Sequence, residues 1–177
     1  QRDHCGQRHK AAQRAERDLF ALTADGYSLM TDMLRICVTD FGGTLVSVEV
    51  KDKSGKFVDI TLGYDDVAGY ENDNDCFGFN IGRNANRISN AQFTLNNIKY
   101  VLAKNDGENN LHSGPHLFSK RMWHVTEYRD DSIIFEIESL HLDQGFPGNA
   151  KFYKDNICIY ISSFSYYFSS FINFYCS

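Results

Sequence analysis

Apolar and polar residues alternate through most of the middle of this chain. Val46, Val48 and Val50 are separated by Ser47 and Glu49, the period-two pattern of a strand with one buried face. Asp52-Lys53-Ser54-Gly55 supplies a turn, after which Val58, Ile60 and Leu62 alternate with Asp59 and Thr61 in a second such strand. An earlier strand is expected over Met33 to Val38, closed by Asp40-Phe41-Gly42-Gly43. The clearest hairpin joins Gln92-Phe93-Thr94-Leu95 to Ile98-Lys99-Tyr100-Val101-Leu102, because Asn96-Asn97 between them tolerates positive φ. Met122 to Tyr128 and Ser132 to Glu138 form another across Arg129-Asp130-Asp131, with Ile133, Phe135 and Ile137 on one face. No helical period of useful length appears. Successive antiparallel strands with turns roughly every ten residues predict an all-β chain folded as a β-sandwich.

Three stretches break the pattern. Residues 1–17 are polar and basic and hold almost no large apolar side chain, so they read as a solvated extension outside the domain. Gly63 to Phe77 is a long acidic connection carrying Asp65, Asp66, Glu71, Asp73 and Asp75. Residues 156–177 are built mainly from Ser, Phe, Tyr and Ile, and the run from Ile157 to Phe171 has no charge. That block is long enough for a membrane span, but its serines and tyrosines and the lack of a basic flank count against one. It reads first as a translated non-coding or frame-shifted end and second as an aggregation-prone β segment. The domain is therefore expected over residues 18–155.

Composition narrows the partners more than it does the fold. With 42% hydrophobic and 23% charged residues in 177, the chain can build one domain with a real core. A net charge of −5 argues against nucleic acid or an anionic membrane as its principal partner. The five cysteines are scattered, odd in number and without Cys-x-x-Cys, which favours free thiols and a reducing compartment. The first residues carry no apolar signal segment, so the expected location is cytoplasmic.

Candidate chemistry concentrates in Phe79-Asn80-Ile81-Gly82-Arg83-Asn84-Ala85-Asn86-Arg87-Ile88 and in Asn109-Asn110-Leu111-His112, on either side of the Asn96-Asn97 hairpin. Uncharged and cationic hydrogen-bond donors on Gly- and Asn-rich loops suit a small polyhydroxylated ligand. They do not form a phosphate loop, because no Gly-Lys-Ser/Thr follows the glycine. Arg83 has a plainer reading, as a side chain that ties down a loop by bonding carbonyls. Trp123 can stack on a sugar face or, at the start of a strand, belong to the core. Gly114 and Pro115 between His112 and His116 exclude the helical spacing of a zinc pair.

Ile81-Gly82-Arg83-Asn84-Ala85-Asn86-Arg87-Ile88 resembles the Gly-Arg-x-Ala-Asn-Arg-Ile signature of the aldose 1-epimerases, or galactose mutarotases. Phe41-Gly42-Gly43-Thr44-Leu45-Val46 is similar to the family's Gly-(Ala/Cys)-Thr-Leu strand, and Gly55 to Tyr64 to its Asp-Val-Val-Leu-Gly-Phe stretch. Asn110-Leu111-His112-Ser113-Gly114, with Phe118 and Trp123 behind it, keeps the spacing of the Asn-x-Leu-His-Gly-Gly block. Gly145-Phe146-Pro147-Gly148 resembles the turn that comes next. The blocks occur in order from about Phe20 to Asn149. Ser113 stands where the family usually has Gly, and Leu117 where Gly precedes Phe118; both changes stiffen or narrow the loop after His112.

The resemblance implies a galactose mutarotase-like supersandwich, represented here by its N-terminal part. A sandwich truncated in that way is expected to leave one sheet without its facing layer. The resemblance also implies an enzyme that interconverts α and β anomers of galactose or glucose without cofactor or metal. Such a reaction takes a proton from the C1 hydroxyl while delivering one to the ring oxygen, and each transfer contributes ~100- to 10,000-fold. Asn86, Arg87 and His112 are the substrate-binding residues it implies, with Arg83 and Trp123 as further candidates. The family's acid histidine in an Asn-His-Ser-Tyr block and its near-terminal base glutamate have no counterpart in this sequence. Activity of the chain by itself is therefore not expected. A non-catalytic carbohydrate-binding sandwich and a non-functional truncated product are the alternatives.

Overall fold

Strands form where the alternation is strongest, and also in places where it is weak. The computed structural model describes the backbone of residues 24–72, 75–161 and 165–176, and side chains through residue 156. In chain order the strands are β1 (Gly26–Met30), β2 (Leu34–Thr39), β3 (Leu45–Lys51), β4 (Phe57–Asp59), β5 (Arg87–Ile88), β6 (Gln92–Leu95), β7 (Ile98–Val101), β8 (Asn110–Leu111), β9 (His124–Tyr128), β10 (Ser132–Ser139), β11 (Ala150–Ile161) and β12 (Ser165–Cys176). One sheet runs β1-β2-β3-β4 and a second β12-β11-β10-β9, with every pairing antiparallel. Two small ribbons, β5-β8 and β6-β7, complete the architecture. The all-β antiparallel class follows from the alternation as expected.

The two large sheets share one core. Leu29, Ile36 and Val38 from the first meet Ile133, Phe135 and Phe152 from the second, and Phe118 and Trp123 close the space between. Each fully buried aliphatic or aromatic side chain here contributes roughly 1.5–3 kcal/mol relative to exposure. The sheets thus supply each other's facing layer, and the bare surface lies elsewhere. Val58, Ile60 and Leu62 are 43%, 64% and 73% exposed, opposite to the half-buried strand expected from their alternation. Their polar neighbours turn inward instead: Val48 N–H reaches Asp59 Oδ1 and Thr61 Oγ1 at 3.3 Å, and Ile60 N–H donates to Val48 O at 2.9 Å. Pairing with β3 sets this orientation, and no layer among the described residues covers the apolar side.

The acidic connection is not wholly irregular. Val67–Asn72 forms a short helix, α1, whose Tyr70 is 3% exposed and packs edge-on against Tyr64. A single buried anchor gives no periodicity to read. Cys37 is disulfide-bonded, contrary to the expectation of free thiols. The polar extension expected over residues 1–17 lies outside the described residues. In the block over residues 156–177, the described backbone continues β11 to Ile161 and returns as β12, while side chains beyond 156 are outside the description.

Candidate functional site

The segment from Asn80 to Ile88 is fixed at several points along its length. Asn80, 5% exposed, donates through Nδ2 to the carbonyls of Gly42 (2.6 Å) and Gly43 (2.7 Å), tying the segment to the turn between β2 and β3. Gly82 then crosses the ring of Phe118 so closely that an added Cβ would lie 2.5 Å from it, which excludes any larger residue without repacking. Arg83 spends its guanidinium on protein acceptors. Its Nε donates to Ser139 Oγ (2.8 Å), Nη1 to Pro147 O (2.8 Å), and Nη2 to the carbonyls of Ser139, Leu140 and Gly148 (2.9, 2.7 and 2.9 Å). It clamps this segment to the end of β10 and to the Phe146-Pro147-Gly148 turn.

Asp143 anchors the same turn from the other side, by partners that the sequence did not reveal. It accepts two bonds from Arg121 (2.7 and 3.0 Å) and one from Ser139 Oγ, the hydroxyl that also receives Arg83 Nε. Burial raises its pKa, but the Arg121 and Ser139 bonds outweigh that and hold the carboxyl below its ordinary value. His141 is a second such turn residue, with Nδ1 accepting Gly148 N–H at 2.9 Å.

Beyond these anchors, the three expected ligand residues come together on one ladder. β5 pairs with β8 so that Arg87 opposes Leu111 and Ile88 opposes Asn110. One step further, His112 N–H donates to Asn86 O and Asn86 N–H donates to His112 Nδ1, each at 3.1 Å. An Nδ1 that accepts a backbone proton leaves the ring proton on Nε2, so His112 presents a donor. Both residues sit at positive φ (63° and 53°), which asparagine tolerates better than most side chains. Ser113, at φ 71° and 1% exposed, closes the arrangement: its hydroxyl accepts Asn84 N–H (2.6 Å) and donates to Asn84 O (3.1 Å). The serine that departs from the family's glycine is thus a peg between two loops.

Arg87 differs from Arg83 in every respect that matters for a ligand. Its side chain is 56% exposed, and only Nε is engaged, with Asp106 Oδ2 at 2.6 Å. Among the described residues neither terminal nitrogen has a partner. Trp123 stands apart from this group: it is 3% exposed, packs with Phe118, and its indole N–H donates to Phe118 O at 3.0 Å. It is a core residue and offers no face to a ligand. The arrangement around Arg87 and His112 provides fixed neutral and cationic donors at an open surface, suited to hydroxyl and hemiacetal oxygens.

Comparison with known proteins bears on the family and the fold. The family model described as Aldose 1-epimerase matches residues 26–153. Galactose mutarotase of Bos taurus is 37% identical over 133 residues, 75% of this chain and 39% of that protein. Aldose 1-epimerase of Escherichia coli K12 is 36% identical over 137 residues, with 73% and 39% covered. Among solved structures, the GalM/aldose epimerase homologue from C. elegans superposes with a TM-score of 0.71 at 30% identity, over 76% of this chain and 42% of that one. Galactose 1-epimerase from Lactobacillus acidophilus shares the fold with a TM-score of 0.66 at 20% identity, over 79% and 42%. The chain therefore spans about two fifths of the length of these relatives.

Proposed function

This chain belongs to the aldose 1-epimerase family, and from that premise we propose that its Asn86–Arg87–His112 ladder binds a free aldohexose such as galactose or glucose. The observation that carries the reading is the reciprocal bond between Asn86 and His112, one step along the ladder from Arg87, whose terminal nitrogens have no partner among the described residues. Neutral donors of this kind bind the ring and C1 oxygens without a net proton transfer. As negative charge develops on a hemiacetal oxygen, a guanidinium and an imidazole N–H stabilise it.

Turnover needs more than these groups. A guanidinium does not give up a proton near neutral pH, and His112 Nδ1 is occupied by a backbone donor. Anomer interconversion requires one group to withdraw the C1 hydroxyl proton and another to protonate the ring oxygen. On this reading the chain does not itself provide the acid histidine and base glutamate that the family resemblance implies. In this proposal the chain supplies the substrate-holding part of an aldose 1-epimerase and does not accelerate mutarotation unaided. It needs no cofactor.

Polarimetry and calorimetry divide the possibilities. Freshly dissolved α-D-galactose with the purified chain should relax at the buffer rate, while titration with D-galactose should give saturable binding. Arg87→Ala and His112→Ala should each weaken that binding by about tenfold or more. An accelerated rotation would show that the chain carries its own acid and base. Absence of saturable binding would remove the sugar-site reading altogether.

A further inference from the structure

The cation of the site is already partnered, and the partner is held in place by the backbone around it. Asp106 begins a tight turn in which Asn109 N–H donates to Asp106 O at 3.0 Å and Asp106 N–H returns to Asn109 O at 3.3 Å. Asn105 beside it bonds Leu111 in both directions, Nδ2 to O at 2.8 Å and Oδ1 from N–H at 2.7 Å. Leu111 is the residue that opposes Arg87 on the β5–β8 ladder. The carboxylate and the guanidinium are therefore mounted on one frame, and Asp106 Oδ2 meets Arg87 Nε at 2.6 Å.

Two consequences follow for a ligand. With Nε held, the fork of Arg87 can present only its terminal edge. The pair also carries no net charge, and the other arginine of the motif, Arg83, is committed to Ser139 and four carbonyls. We propose that Asp106 is a specificity-determining residue: it aims the terminal nitrogens of Arg87 at the sugar and cancels its charge, so that the site takes an uncharged aldose in preference to one bearing a phosphate. This rests on the sugar-binding reading above. An ion pair with side chains 56% and 34% exposed contributes little to folding, so replacing it tests recognition and not stability.

The test is calorimetric titration of the purified 177-residue chain with D-galactose and with galactose 6-phosphate. Asp106→Asn retains an oxygen for Arg87 Nε and removes only the charge, whereas Asp106→Ala removes both. The wild-type chain should bind galactose at least about tenfold more tightly than its 6-phosphate. Asp106→Asn should bind the phosphate about tenfold more tightly than wild type does, an effect that fades at high salt. Asp106→Ala should add a loss of galactose affinity, and the urea midpoints of both variants should match wild type. A residue with a merely structural role would weaken both ligands together and could not produce a gain. If wild type binds galactose and neither variant alters the ratio between the two ligands, the role of Asp106 is overturned and the sugar site stands. If wild type binds neither ligand, the sugar site falls and this inference with it.

Discussion

Arg83 and Arg87 occupy one short motif and do opposite jobs. Arg83 satisfies four carbonyls and a hydroxyl, and a lysine in its place would reach only some of them because it lacks the planar fork. Arg83→Lys should lower unfolding free energy by about 2–4 kcal/mol, since bonds from a charged donor are each worth roughly 1.5–3 kcal/mol and several acceptors would lose theirs. Arg87→Lys, at an exposed position with one carboxylate partner, should leave the urea midpoint within about 0.5 kcal/mol of wild type. It should instead lower galactose affinity by about tenfold. If the two variants exchanged these phenotypes, the assignment of one arginine to the scaffold and the other to the ligand would be reversed. The sequence offers Arg83 as a loop tie and, by resemblance, Arg87 as a ligand residue, but not the partners that separate them, which lie far along the chain: Ser139 and Gly148 for one, Asp106 for the other. Trp123 was ambiguous for a similar reason. An indole at a strand start reads alike in the core or at a sugar face, and only Phe118 O and the ring of Phe118 decide it.

At the scale of elements, what was legible was what local rules dictate. The β6–β7 hairpin follows from Asn96 and Asn97, both found at positive φ (50° and 61°) as a two-residue turn between twisted strands requires. The β9–β10 hairpin follows from alternation, with Ile133 and Phe135 fully buried. The ribbon that assembles the site was not legible. β5 and β8 are two residues each, too short for any period, and they pair across the whole intervening hairpin. Ser113 holds this ribbon by joining the loop before β5 to the loop after β8. Ser113→Ala would leave Asn84 N–H and C=O without that partner at a cost of about 1–3 kcal/mol, and would retain the left-handed backbone strain. Amide exchange should accelerate at Asn86 and His112 and stay unchanged at Leu102, whose N–H donates to Ala91 O in the neighbouring hairpin. Ser113→Gly relieves the φ of 71° while losing the hydroxyl, so its stability should fall between wild type and the alanine variant. Equal exchange at His112 in all three proteins would mean that the ladder holds itself without the peg.

Across the whole molecule, two buried charges at the junction of the sheets govern how stability responds to pH. Lys154 lies on β11 with its ammonium 2.9 Å from Gly43 O, its one acceptor among the described residues, and burial depresses its pKa from 10.5 to about 8. Asp40 is 8% exposed and accepts Asp25 N–H at 2.8 Å; burial raises its pKa from 3.8 to about 6, with that hydrogen bond pulling the other way. A carboxyl that binds its proton more tightly when folded favours the folded state below about pH 4, and this advantage is lost as pH rises through about 6. An amine that binds its proton less tightly when folded penalises the fold in full below about pH 8. The penalty lifts as pH rises from there towards 10.5, where the folded chain sheds a proton that the unfolded chain still holds. These two groups therefore contribute least to stability between about pH 6 and 8, with a fall on the acid side of that interval and a rise on the alkaline side. Lys154→Met replaces the ammonium with an apolar chain of similar length beside Phe135, its register partner on β10. It should raise unfolding free energy near neutral pH by about 2–3 kcal/mol and abolish the alkaline rise, since one pH unit of displaced titration is worth about 1.4 kcal/mol. Asp40→Asn keeps the acceptor for Asp25 N–H and should abolish only the acid-side fall. Urea midpoints of the three proteins at about pH 5, 7 and 9 distinguish the two contributions, because each substitution flattens a different limb. A wild-type chain whose midpoint did not climb between about pH 8 and 10 would mean that water, and not Gly43 alone, solvates the Lys154 ammonium between the sheets.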